Sequence, residues 1–415
     1  MGLPSPEQQR VQAWLASFMQ PDPPRGDEAR QRSRELLDLL GRPQDRVPAV
    51  HVVGTAGKGT VATAVAESLR AAGQSVGLHR SPHVDDVRER FTVDRALPAW
   101  ELVAVAVDEV DPVSEKLRSE GRPPTFFAVT TALALVMARN AQTRWLVVEA
   151  GIGGRHDATN VFGRADVLTV ITAVGRDHQE VLGHDPVLIA AEKAAVMEGR
   201  QRAVLGYQPH LDVGVEVRRL AVKFGVDLIE VAGGGSWLQQ AEATAAAALA
   251  LLDADVEPQP VPDSPGRYER HQHATGHLIF DGAHNPLKLR GLAELLADEP
   301  RPRLGILALG SGKDPEACAD ALAGVFDELV VTEFGPDTDQ IGPRSLPAES
   351  VAEVFRRRGQ PQVTVALDQA RAAALAQQRG AATTVVTGSF LHLTSLRTRL
   401  LNRNPEPEDR PDQNR

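Results

Sequence analysis

The stretch Gly54-Thr55-Ala56-Gly57-Lys58-Gly59-Thr60 holds the most explicit chemistry in the chain. Its glycines let backbone N–H groups approach a bound anion, Lys58 can reach the outer phosphates of a nucleotide, and the Thr60 hydroxyl is a hard oxygen ligand suited to Mg²⁺. The spacing departs from the common GxxxxGK[ST] phosphate loop. Val52 stands where the first glycine belongs, and Gly59 intervenes between lysine and hydroxyl. Either this is a nucleotide site of another kind or a glycine-rich turn with an incidental lysine. The flanks favour the site. An apolar run at 47–53 enters the loop, and Val61, Ala64, Val65, Ser68, Leu69 and Ala72 then mark one helix face, stopped by Gly73. A strand's carboxyl end meeting a helix's amino end offers unpaired N–H groups and the positive end of the helix dipole.

Three further constellations can do chemistry. In VVEAGIGGRHDATN, 147–160, Glu149 ends an apolar run, as either a capped structural acid or a metal ligand or base at a sheet's switch point. Arg155 and Asp157 either contact substrate or pair with each other. In 173–197, His178 follows a buried run, and Lys193 lies among Ile189, Ala190, Ala194, Ala195 and Val196. Such a lysine either snorkels to water or, if buried, is easily neutral, and a neutral amine can add CO₂ to become an anionic carbamate. In the second half, Asp281 ends another apolar run, while Asn285 and Pro286 read as a helix N-cap and first helical residue. Asp281 and Arg267 are placed to hold a nucleotide across a cleft, which Gly310-Ser311-Gly312-Lys313-Asp314 can also line.

The elements that must position these residues alternate. Apolar runs at 145–148 and 167–174 read as strands and 129–140 as a helix, a pattern suited to a parallel sheet covered on both faces. Proline-rich 257–267 reads as a linker. Beyond it, strands at 277–280, 303–309, 328–332, 362–366 and 383–387 alternate with helices near 286–298, 315–325, 346–358 and 368–379. Alanine-rich 241–250 reads as a helix, and there is no internal repeat. The expected division is a nucleotide-binding domain at 1–262, a second α/β domain at 263–402 and a disordered polar tail at 403–415.

Bulk properties exclude several classes. With 415 residues, two domains are the natural expectation. A net charge of −10 argues against nucleic-acid binding. No apolar run approaches the roughly 18 residues that span a bilayer. The start, MGLPSPEQQR, has no signal core, and Pro6 breaks the acylation pattern. The single cysteine, Cys318, excludes an internal disulfide and a cysteine-based zinc site, which fits a cytoplasmic protein.

The sequence resembles the Mur ligase superfamily, and within it the folylpolyglutamate synthase/dihydrofolate synthase family, over nearly its whole length. The resemblance is carried, in order, by LLDLLGRPQDRVPAVHVVGTAGKGT, HRSPHVDDVRERF, TFFAVTTALAL, EAGIGGRHDATN, DHQEVLGHDPVLIAAEKA, FDGAHNP and VVTGSFLHL. It implies a P-loop-containing central domain with a parallel-type sheet and a smaller Rossmann-like C-terminal α/β domain. It also implies ATP- and Mg²⁺-dependent ligation: a folate or pteroate carboxylate takes the γ-phosphoryl group, and L-glutamate displaces phosphate to leave an amide. By residue, it implies nucleotide contacts from Gly54, Thr55, Gly57, Lys58, Gly59, Thr60, Arg267, Asp281 and Asn285. It implies metal ligation by Thr60, Glu149 and His178, with carbamylated Lys193 supporting a second Mg²⁺, and catalytic roles for Lys58, His178 and Lys193. Substrate positions are His83, Thr125, Phe126, Arg155, His156, Asp157 and Ala158. The partners implied are small molecules only, with no nucleic acid or membrane, and the chain is expected to be monomeric. Two departures stand out. Ala56 replaces an asparagine of the loop, and in Leu238–Ala243 Glu242 replaces one near the adenine. Segment 208–240 is also short. The competing readings are another Mur-type amino-acid ligase, which usually carries an additional N-terminal domain, and a non-catalytic nucleotide- or folate-binding regulator.

Overall fold

The computed structural model describes residues 4–19, 24, 26–94, 97–252, 255–273, 276–335 and 344–401. The tail expected at 403–415 lies outside them. The first lobe is built on a seven-stranded sheet: β1 (Ala49–Val53), β2 (Val76–His79), β3 (Phe91–Val93), β4 (Trp145–Glu149), β5 (Leu168–Ile171), β6 (Arg202–Leu205) and β7 (Asp227–Glu230). Their spatial order is β3-β2-β4-β1-β5-β6-β7, with every neighbour parallel except β3 against β2. After β1 the chain crosses to one side of the sheet, and after β4 it crosses to the other. The carboxyl ends of β1, β4 and β5 therefore surround a switch point, where open α/β sheets bind ligands. The register brings Val52 beside both Glu149 and Val170.

Both faces of this sheet are covered, which explains the near-continuous apolar strands. Val50, Val52 and Val147 pack with Val61, Val65 and Leu69 of the helix Lys58–Ala71. Their neighbours Ala49 and Val148 point the other way, onto Val129 and Leu133 of the helix Phe126–Asn140.

The second lobe holds β8 (Glu269–His273), β9 (Gly276–Phe280), β10 (Arg303–Leu307), β11 (Glu328–Val331), β12 (Val363–Val365) and β13 (Thr383–Thr387). The order is β12-β11-β10-β13-β9-β8, parallel throughout except β8 against β9. The connection from β9 to β10 passes β13, so the loops after β9, β10 and β13 share a second switch point.

The α/β architecture is the one anticipated, but neither sheet is purely parallel: each carries an antiparallel edge strand that the apolar pattern did not disclose. The run 167–174 is strand only to Ile171. Thr172 N–H still donates to Val53 O, but Ala173 O turns to accept the N–H groups of Thr55 and Ala56 at 2.9 and 3.1 Å. The end of that apolar run thus backs the phosphate loop. The helix expected at 241–250 starts earlier, at Trp237, because Ser236 and Gln239 form a capping box. Among the described residues no helix is long and apolar enough to cross a membrane.

Candidate functional site

A continuous cleft of about 2160 Å³ runs between the lobes, lined by residues of both. The loop after β1 enters it under tight steric control. Gly54 has φ 147°, and a Cβ there would stand 1.9 Å from Thr172 Oγ1. Gly57 caps the helix Lys58–Ala71 at φ 85° without any side-chain hydrogen bond, which leaves the first-turn N–H groups uncapped. Lys58 folds back so that Nζ donates to Gly54 O at 3.1 Å. Thr55, Gly57, Lys58, Gly59 and Thr60 line the cleft; Gly54 holds the loop from behind. Ala56 is buried with its N–H spent on Ala173 O, so the loop is fixed at that position by backbone rather than by a side chain.

Glu149, at the end of β4, is buried and lines the cleft. Its Oε2 accepts the Ser81 N–H at 3.0 Å and lies 4.0 Å from Arg267 Nη2. His178 sits in left-handed backbone at φ 48°, and burial lowers its imidazole to about 4 despite the carboxylate of Asp177. Lys193 is 4% exposed and lies behind the cleft wall, where burial and then the charge of Lys58 lower its ammonium to about 7. The wall can lie this close because residue 154 is glycine. A Cβ there would be 2.6 Å from Lys193 Cα.

On the acceptor side, Thr125 caps the helix that starts at Phe126, and both line the cleft with His83, His156, Asp157 and Ala158. Asp157 accepts N–H groups of Ile152 and Thr159 and the Thr159 hydroxyl, and burial pushes its carboxyl up. His156 Nδ1 meets Glu192 Oε1 at 3.1 Å. His83 Nδ1 accepts from Arg90 Nε at 2.7 Å, and burial lowers its imidazole to about 4. Arg155 corrects the expectation: it is exposed, outside the cleft, and unpaired with Asp157. Its backbone N–H binds Glu192 O, and its side chain is exposed.

From the second lobe, Asp281 lines the cleft with both oxygens on backbone, accepting from Tyr268 and Ala283 N–H at 2.8 Å each; burial raises it to about 6. Arg267 reaches across to Ser81 O at 3.4 Å and lies 5.3 Å from the Phe390 ring centroid. Asn285 is the helix N-cap that the sequence suggested, and it does not line the cleft. It is 2% exposed, its Oδ1 caps Lys288 N–H, and its Nδ2 donates to Asp177 Oδ2 at 2.8 Å, so it bolts the lobes together instead of facing the cleft. Glu242 is a second correction. It lies five residues beyond the cleft-lining Trp237, roughly 140° around the helix, and the lining from this helix is Trp237 and Leu238.

Sequence reasoning missed the hub of the interface. Buried Asp177 meets Lys313 Nζ at 2.6 Å, His284 at 3.6 Å and Lys288 at 3.8 Å. Burial opposes its charge, but the surrounding His284, Lys288 and His178 hold its carboxyl well below the usual range. Burial, then the Lys288 charge, lowers His284 to about 4, and burial lowers Lys288 to about 8. Asp177 stood beside the chosen His178 and Lys313 in a loop expected at the cleft; only Lys288 left no signal.

Two lobes meeting over a glycine loop, with cations from both, define a two-lobed ligase of the Mur type. Residues 266–390 match the Mur ligase, glutamate ligase domain family. The chain is 30% identical over 384 residues to the dihydrofolate synthase/folylpolyglutamate synthase of Mycobacterium tuberculosis, spanning 79% of this chain and 77% of that one. It is 30% identical over 357 residues to the folylpolyglutamate synthase of Lacticaseibacillus casei, spanning 75% and 81%. The folylpolyglutamate synthase of Mycobacterium tuberculosis complexed with ADP superposes with a TM-score of 0.82 at 27% identity, over 96% of this chain and 99% of that one. The chain belongs to the folylpolyglutamate synthase/dihydrofolate synthase family.

Proposed function

We propose that the cleft joins L-glutamate to the carboxyl group of a folate or of dihydropteroate at the expense of ATP. The observation that carries this is the meeting of Arg267 from the second lobe with Gly59 and Glu149 of the first, on the loop built for phosphate. A carboxylate cannot be attacked by an amine until an oxygen becomes a leaving group. Transfer of the γ-phosphoryl group to it makes an acyl phosphate, and the glutamate amine then expels phosphate. The phosphoryl group spreads charge over its oxygens as it transfers, so catalysis is positioning plus cations. The uncapped N–H groups of the loop and Lys58 hold the phosphates, and Arg267 adds charge from the far side. The slot lined by Phe126, His83, His156, Asp157 and Ala158 suits a flat heterocycle with hydrogen-bonding edges.

The donor set fits a hard divalent cation. Thr60 and Glu149 offer oxygens in one cleft, and Mg²⁺ accepts few protein ligands plus phosphate and water. His178, largely neutral at pH 7, can serve as a further ligand, and an amine titrating near 7 at Lys193 supports its conversion to a carbamate. When bound, the ion neutralises phosphate charge. Lining of one cleft by both lobes supports 1–262 and 263–402 as the two domains of the proposed monomer.

The test supplies purified protein with ATP, Mg²⁺ and glutamate plus dihydropteroate or tetrahydrofolate, and reads products by mass. A glutamyl gain with dihydropteroate assigns dihydrofolate synthase activity, a gain with tetrahydrofolate assigns polyglutamylation, and both assign a bifunctional enzyme. No gain with either acceptor refutes the reading.

A further inference from the structure

The glycine inserted between Lys58 and Thr60 has a neighbour that accounts for it. Gly59 lies in the first turn of its helix with ordinary right-handed backbone, so its own dihedral angles do not require glycine. Alanine is the better helix former. A Cβ at 59 would, however, stand 2.8 Å from both Nε and Nη2 of Arg267 and 3.1 Å from its Cζ. The guanidinium of the second lobe occupies the space that a side chain here would fill. A loop of the common spacing, with the hydroxyl residue directly after lysine, would put that side chain against the arginine.

Arg267 is aimed there by its own lobe. Gly266 N–H donates to Glu269 and Tyr268 N–H to Asp281, which fixes the turn on both sides of it, and Tyr268 takes left-handed backbone at φ 50° within that turn. Asp281, with both oxygens on backbone, thereby supports the arginine's direction.

We propose that Gly59 is a positioning residue whose missing side chain seats Arg267 on the phosphate loop, so that the second lobe's cation reaches the transferring phosphoryl group when the lobes close. The competing explanation is that glycine lets phosphate itself come close. The two differ in what happens once the arginine is gone. The inference rests on the ligase reading, which the wild-type product assay tests by itself.

The experiment is a double-mutant cycle on the full chain: Gly59→Ala, Arg267→Ala and both, with kcat for glutamate ligation, ADP affinity and thermal melting measured for each. Gly59→Ala and Arg267→Ala should each lower kcat by about 100-fold, the scale of removing one well-placed electrostatic donor. The double variant should fall within about threefold of Arg267→Ala, because the two changes remove one interaction. ADP affinity of Gly59→Ala should change less than about threefold, since Lys58 and the loop N–H groups remain. In the Gly59→Ala background, Arg267→Lys should recover part of kcat, because a slim ammonium fits where a planar fork does not. The clashing atoms are the far end of a flexible side chain, so alanine should leave melting near that of the wild type. If alanine at 59 instead unfolds the protein, adding Arg267→Ala must restore folding, and failure to do so overturns the proposal. Wild-type kcat in Gly59→Ala overturns it. So does an equal loss from Gly59→Ala with and without the arginine, or a loss of ADP affinity as large as that of kcat.

Discussion

Replacing Lys193 by methionine should give a more stable and inactive protein. The lysine is 4% exposed, and its ammonium is lowered from 10.5 to about 7, by burial first and the charge of Lys58 second. Between those two pH values the unfolded chain holds a proton that the folded chain does not, so stability rises with pH across that window. Below pH 7 both states are protonated, and the folded state carries the whole cost of the buried charge. About 3.5 pH units at about 1.36 kcal/mol each come to about 5 kcal/mol as an upper figure. The hydrogen bond of Nζ to Gly153 O is long at 3.4 Å, and the charges of Asp177 and Asp157, which favour the ammonium, are already contained in that net shift. Methionine is apolar and of similar length, so it keeps the site filled. The variant should gain about 2–4 kcal/mol near pH 7, and the gain should vanish as the pH approaches that of free lysine. Urea unfolding in bicarbonate-free buffer at several pH values measures this. Activity should be lost in both Lys193→Met and Lys193→Ala, and short carboxylates such as acetate should partly restore it to the alanine variant by standing in for a carbamate. A stability difference that is flat with pH, or a less stable methionine variant, refutes the burial argument. Full activity in unrescued Lys193→Ala removes the carbamate from the mechanism.

Asp177→Ala should destabilise the protein by about 2–4 kcal/mol in urea unfolding, because it strands Lys313, Lys288 and the Asn285 amide at the interface; Lys313→Met should cost clearly less. Gly154→Ala should cost about 3 kcal/mol or more, since its Cβ would meet the Lys193 backbone, which cannot swing aside; a loss below about 1 kcal/mol, the ordinary range of surface changes, would count against that packing.

Most of the strands legible in the sequence are buried on both sides, although buried β2 and β6 went unread and half-buried β12 was read. β1 apart from His51, β4 up to Glu149, and β13 are apolar or β-branched runs, and their loops carry the motifs. β8, ERHQH, is a polar antiparallel edge with no apolar period, and β7 is largely exposed. Neither had a pattern to read. The same division holds for the site. Residues at strand ends, such as Glu149 and Asp281, announced themselves by following apolar runs. Arg155, Asn285 and Glu242 stand outside the cleft lining, because neighbouring positions in sequence do not say which way a side chain turns. Lys288 matters only because Asp177 lies opposite it, a contact made between the lobes.

The interface charges divide into a fixed set and a displaceable one. Asp177 touches Lys313 at 2.6 Å, at the edge of the cleft, and buried Asn285 at 2.8 Å, both hydrogen-bonded. Glu149 and Arg267 stand 4.0 Å apart without a hydrogen bond between them, and Glu149 keeps its Ser81 partner regardless. At that separation an attraction of about 4 kcal/mol at an effective dielectric of 20 is shared with any other anion that enters. A triphosphate, with more charge at closer range, can take Arg267 while the Asp177 cluster still holds the lobes in register. The first contact fixes where the lobes meet, and the second leaves a cation ready for the ligand that arrives between them.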